Sequence, residues 1–255
     1  IRDFLEKKYL LSYIEAILRV YNRFGRRDNI YKARIKILVN EIGPEEFGRQ
    51  VEVEWEHIKE GILKLEQKEI DYAKSFFTSP DYDNDAVDDH SFNETKNSND
   101  TFSNWTKRNL YLHKIAGYHA VIISLKAPEI APGDATDKQM DGIADLSDQY
   151  SFGEIIVTHD QNLVLPHVKQ SDLFSLWKAL AEQNLATPNI GLLTDMICCP
   201  GLDFCSLANA GSIPIAKQIN EKFDDMDYLH DIGDLKIKMS GCMNACGHHH
   251  VGHIG

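Results

Sequence analysis

Cysteine, histidine and a run of arginine and lysine are the residues of this chain able to bind metals, carry electrons or hold anions. All five cysteines fall after residue 197: Cys198, Cys199, Cys205, Cys242 and Cys246. Four of them form two spaced pairs, Cys199-x5-Cys205 and Cys242-x3-Cys246, with residues 206–241 between. Thiolates are soft ligands that suit iron–sulfur clusters or zinc. A zinc ribbon would show two C-x2-C knuckles, and neither pair has that spacing. An odd, clustered set without a secretory signal reads as metal or cluster binding rather than a disulfide framework. Small residues follow each pair, Ala208 to Gly211 and Gly247, and would let backbone amides approach cluster sulfurs.

Other candidates are weaker. Arg26 to Lys36 is a basic stretch. On an extended strand Arg34 and Lys36, two apart, would share a face; the plainer reading is a solvated basic surface. His248, His249, His250 and His253 invite a zinc site, but directly after a cysteine motif they read as groups near its edge or as proton donors. Gln161 and Asn162 would cap a hairpin turn, and His159 and His167 read as structural. The Asp-rich stretch from Asp81 to Asp89 lacks EF-hand spacing.

These residues must be positioned by folded elements. Leu10, Ile14, Ile17, Leu18 and Tyr21 follow the spacing of one buried helical face ending at Gly25. Pro44 opens a helix to roughly Lys68 with Phe47, Val51 and Trp55 inward. From Ser79 to Asp100 the composition turns polar and predicts a mobile loop. Beyond it a β-α-β-β-α order follows. A strand from Tyr118 to Leu125 precedes a helix from Thr136 to Tyr150 with a capping box. A hairpin spans Glu154 to Val168, with a helix over Ser171 to Gln183. The alternating Leu235 to Met239 predicts a final strand with one face buried. The order resembles a split β-α-β unit with an insertion before its last strand.

With 43% hydrophobic and 26% charged residues, the composition is that of an ordinary globular protein. No apolar run approaches the roughly 20 residues of a membrane span, and the N-terminus lacks a secretory pattern. A formal charge of −12 argues against nucleic-acid binding, though a few converging cations could still hold a small anion. The missing initiator Met and the stop just after a motif predict a fragment of a longer chain.

Cys199-Pro200-Gly201-Leu202-Asp203-Phe204-Cys205 and Gly241-Cys242-Met243-Asn244-Ala245-Cys246-Gly247 together resemble the cluster motif of sirohaem sulfite and nitrite reductases. Gln161-Asn162-Leu163 and Ala33-Arg34-Ile35-Lys36 fall where that family has comparable segments. The resemblance implies a cytoplasmic assimilatory oxidoreductase, reducing sulfite to sulfide or nitrite to ammonia with six electrons. Cys199, Cys205, Cys242 and Cys246 would hold a 4Fe–4S cluster, with Cys246 bridging it to the sirohaem iron. Family spacing selects Cys199 over Cys198, leaving Cys198 a buried thiol. Asn244, Gln161, Asn162 and Lys32 would meet the cofactor. Arg34 and Lys36, with Lys32 and Arg27 behind them, are the local candidates to grip the oxyanion; most of the family's cationic grip lies upstream. Electrons would come from ferredoxin or a flavoprotein (NADPH reductase) subunit, with no nucleic acid or membrane involved. The implied fold is α+β, a mixed or antiparallel sheet with helices in a split β-α-β, ferredoxin-like sirohaem/4Fe–4S domain after a helical segment. Its expected parts are 1–78, helical and basic and belonging to the preceding sirohaem-binding domain, and 79–106, a polar flexible loop. Then come 107–170, a ferredoxin-like half-domain, and 171–255, the cluster-binding domain. A cluster-carrying electron-transfer module and a zinc-stabilised domain stay as alternatives.

Overall fold

The computed structural model describes residues 2–83 and 89–255, which divide into two units, Ile1–Pro80 and Asp81–Gly255. The first is helical: α1 (Leu10–Phe24), α2 (Ile35–Ile42), α3 (Pro44–Ile58) and α4 (Gln67–Ser75). Its core is Tyr13, Ala16, Val20, Leu38, Phe47, Val51 and Trp55. Phe47, Val51 and Trp55 face inward as their spacing predicts. The buried face of α1 overlaps the predicted one only in part: Ile17 and Tyr21 pack against this core, but Leu10, Ile14 and Leu18 are exposed while Tyr13, Ala16 and Val20 are buried. That helix is apolar on two sides. The side chosen carries Ser12, whose Oγ accepts from Trp55 Nε1 at 3.1 Å, and Tyr13, which donates to Glu52 at 2.6 Å. Burial without such partners would cost each polar group more than an aliphatic face gains.

The polar stretch after Ser79 is corrected in part. Residues 84–88 lie outside the described residues, but α5 (Asp89–Ser98) and α6 (Asp100–Asn109) are helices. Asn99 caps α6 by accepting from Phe102 N at 2.9 Å, and Phe102 and Trp105 are fully buried beneath it. Composition concealed a three-residue apolar spacing that packing makes decisive.

Strands β1 (Leu110–Leu112), β2 (Tyr118–Ile123), β3 (Ile156–Val157) and β4 (Leu163–Lys169) form an antiparallel sheet in the order β1-β2-β4-β3. Helices α6, α7 (Asp137–Tyr150) and α8 (Leu173–Glu182) contribute Trp105, Ile143, Leu176 and Leu180 to the core that Val121, Ile123 and Leu165 line from the sheet. The capping box of Thr136 and Gln139 is present. The fold is α+β. The final strand does not join this sheet, as the split unit predicted. Instead β5 (Ile197–Cys198) and β6 (Lys238–Met239) form a separate parallel pair. Between them run α9 (Ile213–Lys222) and α10 (Met226–Ile232) over a third core of Leu192, Met196, Ala216, Leu229 and Ile237. A parallel pair needs a crossover of a dozen residues or more, usually helical, and the long spacer between the cysteine pairs supplies it.

On the sheet's other side Tyr82, His113, Tyr118, Phe152 and His167 pack as an aromatic cluster. Ile115 N–H donates to His113 Nδ1 at 3.0 Å. His113 Nε2 lies 3.3 Å from His167 Nδ1, and His167 Nε2 lies 3.3 Å from Glu154. Burial holds the His113 imidazole below its usual range, and the neighbouring His167 adds to the shift. A histidine kept neutral in the fold takes up its proton first in the unfolded chain. Its contribution is therefore present above the unfolded value of about 6.5 and lost as pH falls through it. The urea midpoint should fall between pH 7.5 and 5.5, and H113Q should flatten that slope; an unchanged slope in H113Q would refute the assignment.

Candidate functional site

Because β5 and β6 run parallel, the chain leaves both strands at the same end, and each exit carries one cysteine pair. Cys199 follows β5 directly and donates its N–H to Met239 O at 3.0 Å; Cys242 lies three residues beyond β6. The two loops are laced together. Asn209 and Ala210 N–H both donate to Gly241 O, at 2.8 and 3.1 Å, and Cys205 N–H donates to Gly201 O at 2.9 Å. Ser212 Oγ donates to Cys199 O. A Cβ at Gly241 would stand 2.8 Å from Gly201 Cα, and one at Gly247 would run into the Met239 carbonyl. The glycines around the cysteines thus let loop approach loop, a different duty from the approach of amides to sulfur that the sequence predicts.

Four thiols meet at this end. Partial desolvation raises the thiol of Cys246, an otherwise exposed residue, above its usual range, and Cys199, Cys242 and Cys205 add to the shift in that order. Cys199, Cys205 and Cys242 therefore each lie within electrostatic reach of Cys246. Cys199 is buried, Cys205 and Cys242 are half-buried, and Cys246 is exposed. Among the described residues no three His, Cys, Asp or Glu side chains converge on a single metal ion. Thiolates around one tetrahedral zinc would stand within about 4 Å of each other, an arrangement the described residues do not show. Cys198 differs from these four in its surroundings: it is packed in the third core, and burial pushes its thiol up to about 11, so it stays protonated.

The side chains of Gln161 and Asn162 are engaged inside the fold. Gln161, in the left-handed region at φ 60°, donates through Nε2 to Cys198 O at 2.9 Å and accepts from Cys198 N–H at 2.8 Å. This two-way bond docks the β3–β4 turn onto the cysteine strand. Asn162, 2% exposed, accepts from Leu125 N–H at 3.1 Å and donates to Asp195 Oδ1 at 2.9 Å. Asp195 Oδ1 also pairs at 2.8 Å with Lys126, whose ammonium is fully buried and donates to Asp160 O at 2.7 Å. Sequence reasoning missed Lys126 and Asp195. The available signal was a lysine closing the apolar run from Ala120 to Leu125, where a charge needs a partner.

The basic stretch lies in the first unit. Arg34 is the extended residue before α2 and Lys36 is in its first turn, so the shared strand face does not exist. Ile35, Leu38, Val39 and Ile42 follow helical spacing, and the helix prevails. Arg34 Nη2 donates to Tyr31 O, and Nη1 is buried without a partner among the described residues. Lys32 and Lys36 are exposed. Arg27 bonds Arg26 O and Asn22 and stacks over Tyr21. Asn244 is half-buried. His253 Nδ1 accepts from Lys236 N–H at 3.0 Å, a structural role, while His248 and His250 are exposed. Beside Cys242 opens a cavity of about 410 Å³, lined by Ser212, Lys238, Ser240, Met243 and His249.

Two family models match this chain. Residues 1–59 match the nitrite and sulphite reductase 4Fe-4S domain, and residues 112–183 match the nitrite/sulfite reductase ferredoxin-like half domain. The chain belongs to the nitrite and sulfite reductase family. Members of that family use sirohaem and a 4Fe–4S cluster. The cysteines themselves lie outside both matched stretches. Over 248 residues the chain is 27% identical to the chloroplastic ferredoxin–nitrite reductase of Zea mays, covering 94% of this chain and 36% of that protein. It is 24% identical to the assimilatory ferredoxin-dependent nitrite reductase of Haloferax mediterranei (95% and 37%). It is 20% identical to the sulfite reductase [NADPH] hemoprotein beta-component of Methylorubrum populi (99% and 36%). The fold is similar to that of Mycobacterium tuberculosis NirA, with a TM-score of 0.57 and 19% identity over 93% of this chain and 37% of that one. The chain spans a little over a third of the length of these relatives. Among the described residues no helix is long and apolar enough to cross a membrane.

Proposed function

We propose that this chain is the cluster-bearing part of a cytoplasmic, assimilatory sirohaem reductase that converts nitrite to ammonia or sulfite to sulfide. The observation that carries the reading is the meeting of four thiols at one end of a parallel strand pair, apart from the protonated Cys198. Cys199, Cys205, Cys242 and Cys246 are the ligands on this reading, four thiolates being the usual set for a 4Fe–4S cluster. When bound, the cluster and sirohaem supply the one-electron steps that the oxyanion's six-electron reduction needs. The chain's own residues set the geometry. The parallel pair holds two ligand loops side by side, Gly241 and Gly201 let them touch, and Gln161 fixes the backbone immediately before Cys199. Cys246, exposed, has a face free to meet the haem iron, and Asn244 stands beside it to orient the same cofactor. Arg34, Lys32 and Lys36 are the cations this chain can offer to an oxyanion or to cofactor carboxylates. The electron donor is a ferredoxin or a flavoprotein subunit, as the names of the relatives support.

The test is an anaerobic preparation of the full-length protein, with its visible spectrum, iron and acid-labile sulfide measured. A chlorin band with about five irons per chain, four in the cluster and one in the haem, is expected. Turnover of nitrite and of sulfite is then compared with reduced ferredoxin or a flavoprotein as donor. Cluster absorption without a chlorin band would leave an electron-transfer module instead. A colourless zinc protein would refute the cluster.

A further inference from the structure

Lys238 is the first residue of β6, and the alternation of Leu235 to Met239 would turn it to solvent. The structure buries it instead: it is 8% exposed, beside the equally buried Ile237. Its stem lies beneath Gly252, where a Cβ would come within 3.1 Å of Lys238 Cβ and 3.2 Å of its Cγ. Its side chain lines the cavity beside Cys242. Among the described residues no carboxylate or hydrogen-bond acceptor meets its ammonium; the ion-paired lysines of this unit are Lys126, with Asp195, and Lys169, with Asp83. The Lys238 stem is buried while its ammonium opens into that cavity, where a bound anion would be its counter-charge.

We propose that Lys238 is the charge partner of the cluster and raises its reduction potential. The inference rests on the reading above, in which the four cysteines hold a cluster. Four thiolates outweigh the positive charge of the iron–sulfide core, so the assembly is anionic and becomes more so when it accepts an electron. A cation in a cavity that shares Cys242 stabilises the reduced form more than the oxidised one. The mostly apolar walls of the cavity leave that effect less screened than it would be in bulk solvent. Gly252 is what lets the lysine lie there, since any side chain at that position would meet its stem.

The test uses the full-length protein, purified anaerobically and titrated with dithionite as the electron source while the cluster is followed by EPR. K238Q should lower the equilibrium constant for cluster reduction about tenfold, a fall of about 59 mV for one electron. K238R should stay at the wild-type potential. K236Q, which removes an exposed lysine from the same segment, should also stay there, because solvent and salt screen it. K238Q with a full cluster and an unshifted potential overturns the proposal. So does an equal fall in K238Q and K238R, since arginine keeps the charge. If K238Q assembles no cluster while K238R does, the charge is needed for assembly and the pairing stands; loss in both overturns it. Wild-type protein that holds no cluster at all overturns the cluster reading, and the charge partner with it.

Discussion

Serine in place of Cys199 should strip the protein of its cluster iron, whereas serine in place of Cys198, the adjacent residue, should leave it intact. The two thiols are one residue apart and differ by environment. Cys198 belongs to β5, is 2% exposed and faces the third core, where burial pushes it up to about 11. Cys199 leaves the strand at the end where Cys205, Cys242 and Cys246 gather. A hydroxyl is a hard donor and does not replace a soft thiolate toward iron. The expected result for C199S, C205S and C242S alike is a fall from about four cluster irons per chain toward none, with loss of the charge-transfer absorption. C198S should keep wild-type iron content and spectrum. Equal loss in C198S and C199S would mean that the ligand set has been misassigned.

Asp195→Ala should cost about 3–5 kcal/mol of stability, because it leaves the Lys126 ammonium buried without its carboxylate. That is about a fifth or more of the stability of a typical domain. Asp195 Oδ2 also accepts from Gly191 N–H at 2.9 Å and Oδ1 from Asn162 at 2.9 Å, so three donors lose their partner together. The network joins the end of β2, the β3–β4 turn and the segment leading into β5, and cluster loading should fall along with stability. Replacing the charge as well as its partner, in K126M/D195A, should recover part of the loss, since two apolar groups are cheaper to bury than one unpaired ion. Urea unfolding of the three variants against wild type measures this. A D195A midpoint equal to wild type would show that the pair contributes nothing.

The cysteines illustrate what a sequence carries. Their spacing, their confinement to the last quarter of the chain and the absence of C-x2-C knuckles bear on ligand type without any fold. Helices such as α7 and α8 were legible because capping residues and apolar spacing are local signals. Leu10, Ile14 and Leu18 were not, because a helix apolar on two sides does not say which side its neighbour will take. Arg34 and Lys36 failed for a related reason: apolar residues at Ile37 to Val39 fit a strand or a helix over so short a run, and only packing decided. Gln161 and Asn162 were marked as important by resemblance, yet their role needed the structure, which spends them on Cys198 and on the Lys126–Asp195 pair.

By itself, then, the sequence determined the donor chemistry, two soft-ligand pairs with a spacer long enough for a crossover, and the α+β pattern of elements that carries them. Tertiary structure alone decided that the last strand leaves the antiparallel sheet to pair in parallel with β5, that Lys238 is buried where alternation would expose it, and that Lys126 lies fully buried against Asp195. Donor type and local periodicity are properties of residues and their near neighbours. Which strands pair, and which charge is buried beside which, depend on contacts between residues far apart in the chain, where the balance of desolvation against pairing is struck.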